Sequence, residues 1–279
     1  MNIGIIGSSG YISSFLIDRL NNHKIIKFDK NGDYDYFLDL ENTNDFDSNI
    51  FDDLEFIIFT AAISSPDLCE KEYEKCWDIN VKGTAYIIEE AINHKCKVLF
   101  FSSDAVFGDH KDLIFDEESK TDASTAYGKM KKEIEDIFKS NSLFKAIRLS
   151  YVVSNRDKFT NYVLSCLKNN QVCEVYDPFY RNCITISDVL DVVEWLINHW
   201  ENFNHTFINI ASKELIGRED IVKVINEIYD NKLEYKVIKP DESFYKCRPA
   251  YTNMKSLYLK EYKILDDLSF FNKIKKELL

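Results

Sequence analysis

Five short apolar runs alternate with amphipathic segments over the first 150 residues, and no other feature of the sequence constrains the fold as strongly. The runs have the length and β-branched content of strands, whereas the segments between them have the apolar spacing of helices. Strands joined through helices form parallel sheets that are covered on both faces. The sequence therefore predicts an α/β fold built on a doubly wound parallel sheet. We expect strands at 3–6, 24–28, 56–60, 98–102 and 144–149, and helices at 11–22, 70–94 and 126–140.

The second half of the chain has shorter and less regular elements. We expect helices at 159–168, 188–199, 218–229 and 268–278, and strands at 172–176, 184–186, 206–210 and 233–237. No proline-rich linker or internal repeat separates the two halves. We therefore expect a Rossmann domain at 1–152, completed by about 183–212, and a smaller C-terminal lobe for substrate binding at 153–182 and 213–279.

The charge balance excludes several classes of partner. The chain has 35 Lys and Arg residues against 47 Asp and Glu residues, a formal net charge of −12. Because such a surface repels phosphate groups, we expect neither nucleic acid nor an anionic membrane as a partner. The most apolar stretch, 56–63, is far shorter than the roughly 20 residues of a membrane helix, and no leader pattern precedes the first strand. The seven cysteines form no CxxC pair and no Cys/His cluster, so we expect free thiols, no metal and a cytoplasmic location.

A glycine turn directly follows the first predicted strand. Gly7-Ser8-Ser9-Gly10 opens the first helix, and a turn this tight needs residues without a side chain. The N–H groups at the start of the helix then attract a pyrophosphate. Asp29 ends the second strand, at the place where a carboxylate binds an adenosine ribose. Because this carboxylate repels a 2′-phosphate, we expect NAD(H) to be preferred over NADP(H). Neighbouring Lys30 leaves NADP(H) open, and the alternative for Asp29 is a solvated turn residue.

A second group of residues has the chemistry of a proton-transfer site. Tyr127 and Lys131 are four residues apart on a predicted helix and so project from one face. The phenol has an ordinary pKa of about 10, and a neighbouring ammonium favours the phenolate. Upstream, Ser103 follows a buried strand and brings a hydroxyl to the carboxyl edge of the sheet. Together, in this order after the glycine turn, the three residues predict a catalytic site.

These motifs are similar to those of the extended short-chain dehydrogenases/reductases, in the branch that modifies nucleotide sugars. The likeness covers nearly the whole chain, although its motifs are dense only up to residue 151. Within that branch, the segments 103–107 and 248–257 resemble the dTDP-4-dehydrorhamnose reductase-like proteins. The matching motifs are Gly7/Gly10, Asp29, Asp39-Leu40, Thr60-Ala61-Ala62, Asn80-Val81-Lys82-Gly83-Thr84, the segment 102–108 and Tyr127-Gly128-Lys129-Met130-Lys131.

The resemblance implies a role for each matching residue. In the family, the counterpart of Ser103 hydrogen-bonds the substrate oxygen, that of Tyr127 exchanges the proton, and that of Lys131 binds the nicotinamide ribose and lowers the pKa of the tyrosine. The position of Asn80 is mainly architectural. The implied cofactor-binding residues are Gly7, Ser9, Gly10, Tyr11, Ile12, Asp29, Lys30, Asp39, Leu40, Thr60, Ala61, Ala62, Asn80, Ser102, Tyr127, Lys131, Tyr151 and Val152. The implied substrate-binding residues are Ser64, Ser103, Asp104, Ala105, Tyr127, Asn161, Arg181 and Arg248.

The resemblance also implies a nucleotide-diphosphate sugar as the partner. Arg181 and Arg248 match family positions that contact a diphosphate, and planar bidentate donors suit phosphate. The alternative for each arginine is a surface salt bridge. The helices around 81–91 and 134–138 are similar to those that pair in the dimers of this family, so we expect a homodimer.

Ala105 narrows the reaction, because dehydratases of this family have a Glu at the matching position and 3,5-epimerase-reductases have a Cys. We therefore expect an NAD(P)H-dependent reductase of a nucleotide-linked 4-keto-6-deoxy sugar, with Tyr127 as proton donor, serving deoxysugar and polysaccharide biosynthesis. A nucleotide-sugar 4-epimerase that retains NAD stays open, because the segment around Arg181 is epimerase-like. The alternative of another class is a catalytically silent, dinucleotide-binding regulatory subunit.

Overall fold

The computed structural model describes residues 1–279. The strands are β1 Asn2–Ile6, β2 Lys24–Asp29, β3 Tyr36–Phe37, β4 Phe56–Phe59, β5 Lys97–Ser103, β6 Phe144–Leu149, β7 Val152–Val153, β8 Cys173–Tyr176, β9 Tyr180–Arg181, β10 Ile184–Thr185, β11 Phe207–Ile210, β12 Ile216–Gly217, β13 Tyr235–Ile238 and β14 Tyr251–Thr252. The helices are α1 Tyr11–Arg19, α2 Pro66–Lys71, α3 Tyr73–Trp77, α4 Thr84–Asn93, α5 Ala126–Phe138, α6 Lys158–Lys168, α7 Ile186–His199, α8 Arg218–Ile228, α9 Glu242–Tyr245, α10 Tyr258–Glu261 and α11 Phe270–Leu278.

Seven parallel strands form the main sheet, in the order β11-β6-β5-β4-β1-β2-β3. The chain first builds outward from β1 through β2 to β3, and then returns to the other side of β1 with β4. This reversal leaves a crevice at the carboxyl ends of β1 and β4, where ligands of doubly wound sheets bind. The predicted α/β fold with a doubly wound parallel sheet is therefore confirmed, and the five predicted strands of the first half all lie in this sheet.

Both faces of the sheet are buried, as the continuous apolar strands predict. In β4, the side chains of Phe56 and Ile58 join the core under α1 and α7, whereas those of Ile57 and Phe59 join the core under α4 and α5. All four side chains are at most 1% exposed. Because burial of one such side chain stabilises a fold by about 1.5–3 kcal/mol, this alternation accounts for much of the driving force that holds the helices on the sheet.

A third, smaller core lies outside the sheet. It is formed by α6, β8, α8 and α11, and its members include Val163, Cys173, Ile221 and Phe270. The short strands β9, β12 and β14 form a separate three-stranded sheet, in which β12 is antiparallel and β14 is parallel to β9. The elements of this third core add no strand to the main sheet. All seven cysteines are buried and unpaired, and none of the helices combines the length and apolar character that crossing a bilayer requires.

The helix predicted at 70–94 is divided in the structure. Helical structure begins earlier, at α2, where the Ser65 side chain caps the helix, breaks before α3, and continues through a π-helical turn over Asp78–Gly83 into α4. Tertiary packing explains the irregular turn. Gly83 lies so close to the chain that a Cβ there would be 1.9 Å from the carbonyl oxygen of Leu40. Periodicity alone does not show such a close backbone approach.

Candidate functional site

The main cleft opens at the carboxyl ends of β1, β4, β5 and β6 and has a volume of about 680 Å³. Eighteen of the residues predicted from the sequence line it: Gly7, Ser9, Gly10, Tyr11, Ile12, Asp29, Thr60, Ala61, Ala62, Ser64, Ser102, Ser103, Asp104, Tyr127, Lys131, Tyr151, Val152 and Arg181. Seven predicted residues do not line the cleft: Lys30, Asp39, Leu40, Asn80, Ala105, Asn161 and Arg248. The structure thus brings the glycine turn and the Tyr-Lys-Ser group into one cavity.

The glycine turn is shaped by close contact with the chain after β4. Gly7 has a φ of 86°, and a Cβ at this position would lie 2.7 Å from the backbone nitrogen of Ala61. The N–H of Gly10 closes the turn by donating to the carbonyl oxygen of Gly7 at 3.0 Å. No side chain caps the first turn of α1, and no acidic residue lies in it. The first N–H groups of α1 are therefore open toward the cleft, an arrangement that fits a dinucleotide pyrophosphate.

Asp29 lies beside this turn at the end of β2. Its carboxylate accepts hydrogen bonds from the backbone N–H of Ser9 at 2.9 Å, the Ser9 hydroxyl at 2.8 Å and the N–H of Asn31 at 3.0 Å. Burial raises the pKa of Asp29, but these hydrogen bonds outweigh burial and hold the pKa below its ordinary value. The carboxylate is therefore ionised at the end of the cleft that holds the glycine turn.

Lys30 points away from the cleft. Its ammonium lies 2.6 Å from the carboxylate of Asp39 and 3.8 Å from that of Glu41. The two side chains form an ion pair with each other and do not line the cleft, so their contact with a cofactor stays a prediction. Asp29 is the acidic residue beside the glycine turn that lines the cleft.

Tyr127 and Lys131 lie one helical turn apart on α5. The hydroxyl of Thr125 caps this helix by accepting from the N–H of Gly128 at 3.2 Å. The ammonium of Lys131 donates to the carbonyl oxygen of Phe101 at 2.7 Å and lies 5.8 Å from the centre of the Tyr127 ring. The helical period thus places both side chains on the face of α5 that borders the cleft, as predicted.

The protonation of this pair depends on burial. Burial raises the pKa of Tyr127 above its ordinary value of about 10, and the nearby Cys69 and Asp104 raise it further. Burial also lowers the pKa of Lys131 to about 7, although Glu135 and Cys69 oppose this change. Burial has the largest effect on the pKa of Tyr127 here, and a lowering by the ammonium of Lys131 stays a prediction. The raised pKa corresponds to a protonated phenol at neutral pH.

Ser103 is oriented by Asp104 at the end of β5. The Ser103 hydroxyl donates to the Asp104 carboxylate at 3.1 Å and accepts from the N–H of Ala105 at 3.2 Å. A further hydroxyl, that of Ser150, donates to the same carboxylate at 3.4 Å. Burial raises the pKa of Asp104, and the charge of Arg181 opposes this rise. Ser150 was not identified from the sequence, since it belongs to no recognisable motif.

Arg181 has a different environment from the one predicted. Its guanidinium donates at 2.6 Å to the carbonyl oxygen of Tyr180 and at 2.6 Å to that of Pro249. Its Nε lies 3.7 Å from the carboxylate of Asp104, and only 11% of the side chain is exposed. Backbone carbonyls and one carboxylate already engage most of the donors, so the diphosphate contact of Arg181 stays a prediction.

A second cavity of about 390 Å³ lies on the lobe, and Arg248 belongs to it. Its walls are mainly aromatic: Phe159, Tyr162, Tyr176, Phe179 and Phe244, together with Glu174, Arg218 and Arg248. Arg248 forms an ion pair with Asp67 of α2, with one guanidinium nitrogen 2.7 Å from a carboxylate oxygen. The sequence missed this cavity and Arg218, since aromatic residues from four separate segments come together only in the folded lobe. We name it the aromatic pocket.

Four of the predicted site residues lie outside the cleft and contact other parts of the chain. The Asn80 side chain accepts from the N–H of Ile63 at 2.8 Å and donates to the Ile63 carbonyl at 2.9 Å, so it holds the loop after β4 in place. Leu40 is buried in the core under α4. The backbone of Ala105 contacts Gly128, where a Cβ would lie 2.3 Å from the Ala105 carbonyl oxygen. Asn161 is exposed on α6 and donates to the carbonyl of Arg156, so its predicted substrate contact is not supported.

Comparison with known proteins identifies one family over nearly the whole chain. The model of the RmlD substrate binding domain matches residues 1–266. The chain is 25% identical over 190 residues to the spore coat polysaccharide biosynthesis protein SpsK of Bacillus subtilis, a match that covers 64% of this chain and 67% of that protein. It is 31% identical over 121 residues to the dTDP-4-dehydrorhamnose reductase of Aggregatibacter actinomycetemcomitans, covering 43% of this chain and 41% of that protein.

Solved structures share the fold over the full length. The dTDP-4-dehydrorhamnose reductase of Bacillus anthracis in complex with NADP superposes with a TM-score of 0.86 at 18% identity, covering 99% of this chain and 96% of that chain. The UDP-glucuronic acid 4-epimerase of Bacillus cereus in complex with UDP-glucuronic acid and NAD superposes with a TM-score of 0.81 at 17% identity, covering 99% of this chain and 98% of that chain. At these identities, the structural matches support the fold alone.

Proposed function

The chain belongs to the RmlD substrate binding domain family, and on that premise we propose that it is an oxidoreductase that reduces a nucleotide sugar with a nicotinamide dinucleotide. The finer assignment is a reductase of a nucleotide-linked 4-keto-6-deoxy sugar. The observation that carries the proposal is the single cleft that holds the glycine turn together with Ser103, Tyr127 and Lys131. A dinucleotide bound along the turn would bring its reactive end toward these side chains.

The side chains supply the proton and the orientation. When bound, the reduced nicotinamide supplies the hydride that adds to the carbonyl carbon. The phenol of Tyr127 donates its proton to the carbonyl oxygen, so that the ketone becomes an alcohol and the tyrosine becomes a phenolate. The Ser103 hydroxyl has one proton, so it turns from the Asp104 carboxylate to donate a hydrogen bond to the same oxygen, and the ammonium of Lys131 stabilises the phenolate. The raised pKa of Tyr127 supports this direction of transfer, because the phenol holds its proton at neutral pH.

The aromatic pocket supports a nucleotide as part of the substrate. Its rings offer stacking surfaces for a base, and Phe159 packs against the same guanidinium as Tyr151, which lines the main cleft. A nucleotide sugar can therefore extend from the cleft into this pocket, with its sugar at Tyr127 and its base among the aromatic rings. The third core, formed by α6, β8, α8 and α11, supports the predicted division into a Rossmann domain and a substrate-binding lobe.

Asp29 supports NAD(H) as the cofactor. A 2′-phosphate would bring two negative charges next to an ionised carboxylate, and the neighbouring Lys30 is paired with Asp39. The Bacillus anthracis structure contains NADP and the Bacillus cereus structure contains NAD, so both forms occur on this fold. Our proposal is that this chain binds NAD(H) more tightly than NADP(H).

A homodimer belongs to the same proposal. The faces of α4 and α5 that point away from the sheet include exposed apolar side chains, with Tyr86 at 39% and Ile137 at 49% exposure. Pairing of these faces in two copies would cover both side chains. Light scattering after size-exclusion chromatography, on the wild type and on Ile137→Glu, tests this expectation. A dimeric wild type and a monomeric variant would support it, whereas a monomeric wild type would contradict it.

The alternative reaction is 4-epimerisation of a nucleotide sugar with retained NAD. It stays open because the segment around Arg181 resembles that of the epimerases. The discriminating experiment records the absorption spectrum of freshly purified protein and then NADH consumption with dTDP-, UDP- and GDP-linked 4-keto-6-deoxy sugars. Substrate-dependent loss of NADH absorbance supports the reductase. Interconversion of an unmodified nucleotide sugar without loss of NADH supports the epimerase, and bound cofactor with neither activity supports a regulatory subunit.

A further inference from the structure

Arg218, the first residue of α8, carries a positive charge that no carboxylate neutralises. It is half-buried, and its Nη1 is shielded from water without any hydrogen-bond partner. The guanidinium carbon lies 4.1 Å from the ring centre of Tyr151 and 4.1 Å from that of Phe159. Ring faces attract a cation by about 0.5–2 kcal/mol, and the hydroxyl of Tyr151 offers the guanidinium only a neutral acceptor. A cation withdrawn from water in this way lacks its anion.

The other arginines of the two cavities are engaged or exposed. Arg181 donates to two backbone carbonyls and lies near Asp104, and Arg248 is paired with Asp67. Arg156 is exposed at the rim of the main cleft, where water satisfies its charge. Arg218 is therefore the half-buried arginine of the two cavities that is free to accept an anionic ligand without first losing an anionic partner.

The position of Arg218 indicates which part of a ligand it meets. Tyr151 lines the main cleft, whereas Phe159 and Phe179 line the aromatic pocket, and the guanidinium contacts all three rings. Arg218 thus lies at the boundary between the two cavities. In a nucleotide sugar, the diphosphate is the segment between the sugar and the nucleoside. Arg181 reinforces the positive potential at this boundary, since its guanidinium lies 4.4 Å from the same Phe179 ring.

We propose that Arg218 binds the diphosphate of the nucleotide sugar and thereby sets the affinity for the substrate. The inference rests on the proposed function for the identity of the ligand. It assigns the diphosphate contact to a residue outside the two arginine motifs that the sequence singled out. The planar guanidinium suits the contact, because it can present two parallel N–H donors to phosphate oxygens while its faces stay packed on aromatic rings.

The test compares Arg218→Met and Arg218→Lys with the wild type. Methionine keeps an apolar stem against Tyr151 and Phe159 but removes the charge, whereas lysine keeps the charge without the planar donors. Arg19→Met is the matched control, since Arg19 forms a surface ion pair with Asp191 and Glu194 on the far side of α1. Calorimetric titration with dTDP, UDP and GDP measures the affinity directly, and thermal melting together with NADH titration checks the fold of each variant.

The expected result is a Kd for the preferred nucleoside diphosphate that rises at least tenfold in Arg218→Met and by less in Arg218→Lys. Arg19→Met and all NADH affinities should stay unchanged. Equal affinity of Arg218→Met and the wild type, or a wild type that binds none of the three diphosphates, would overturn the proposal. If Arg218→Met does not fold, Arg218→Lys carries the test, and an unchanged affinity of that variant counts against the planar contact.

Failure of the proposed function gives a different pattern. A wild type that binds a nucleoside diphosphate through Arg218 but consumes no NADH with any keto sugar would refute the reductase and keep the inference. A wild type that consumes NADH, with a KM for the keto sugar that Arg218→Met leaves unchanged, would keep the reductase and refute the inference.

Discussion

The guanidinium of Arg181 lies 3.7 Å from the carboxylate of Asp104, and that carboxylate accepts a hydrogen bond from the hydroxyl of Ser103. Because Arg181 also donates to the carbonyl of Pro249, a chain of polar contacts runs from the C-terminal segment to Ser103. Asp104 is therefore a positioning residue in the proposed reaction. It acts by holding the Ser103 hydroxyl at the carboxyl edge of β5 until the substrate oxygen replaces the carboxylate as the acceptor.

Replacement of Asp104 tests this positioning. Alanine removes the acceptor, so the hydroxyl of Ser103 can rotate, and misplacement of a reacting group by about 1 Å lowers turnover by about 10²-fold. We expect kcat to fall by about ten- to hundredfold in Asp104→Ala and by less in Asp104→Asn, whose amide oxygen still accepts. Steady-state kinetics with the keto sugar checks the order of the two variants. Equal losses in both would contradict a role based on acceptance of the hydrogen bond.

Tyr127→Phe removes the proposed proton donor without changing the shape of the ring. General acid help contributes about 10²–10⁴-fold to a rate, so we expect kcat to fall by that factor. The NADH affinity should stay unchanged, because the ring still packs on α5. The control is Tyr229→Phe, since Tyr229 lies at the surface after α8 with 39% exposure. Normal turnover of Tyr127→Phe would remove Tyr127 from the mechanism.

Lys131 should make the stability of the cofactor-free protein depend on pH. Burial lowers its pKa to about 7 in the folded protein, whereas an unfolded lysine has a pKa of about 10.4. Between these values the unfolded chain binds the extra proton, so the destabilisation that Lys131 causes decreases as pH rises from 7 to about 10. We expect Lys131→Met to unfold at higher urea than the wild type at pH 7, with a difference that shrinks by pH 9.5. A difference that stays constant with pH would show an ordinary lysine pKa.

Asp29→Asn should change the choice of cofactor. The substitution keeps the hydrogen bonds with Ser9 but removes the charge that repels a 2′-phosphate. We expect the ratio of the NADPH Kd to the NADH Kd to fall by about tenfold, which corresponds to about 1.4 kcal/mol. Asp33→Asn is a suitable control because Asp33 lies in the same loop, with its side chain 90% exposed and paired with Lys27. An unchanged ratio would place the origin of cofactor selectivity elsewhere.

The ion pair between Glu135 and Arg148 anchors α5 beneath the cleft. Both side chains are 3% exposed, their closest atoms are 2.7 Å apart, and the hydroxyl of Ser102 donates to Glu135 at 2.6 Å. Loss of one partner leaves a buried charge, so Glu135→Gln or Arg148→Met should each lower the unfolding free energy by about 3–5 kcal/mol. The double variant should lose less than the sum. Urea unfolding of the four proteins measures the coupling, and strict additivity would argue against a direct interaction.

Much of the fold and half of the site depend on short-range physics, and these parts could be predicted from the sequence. The period of β4 places Phe56 and Ile57 on opposite faces, and the helical period of α5 aligns Tyr127 with Lys131. The glycine turn after β1 is equally local, because Gly7 has a φ of 86°, which residues with a side chain rarely adopt. Each of these features is encoded by residues a few positions apart.

The partners of the charged residues were decided by the tertiary structure. Arg181 and Arg248 carry family motifs, yet the packing of the lobe brings Pro249 to the first and Asp67 to the second. The same packing leaves Arg218 between aromatic rings without an anion. Burial likewise raises the pKa of Tyr127. Residue type and spacing determine which groups can do chemistry, whereas their charge state and their availability depend on solvent exclusion and on contacts between residues far apart in the chain.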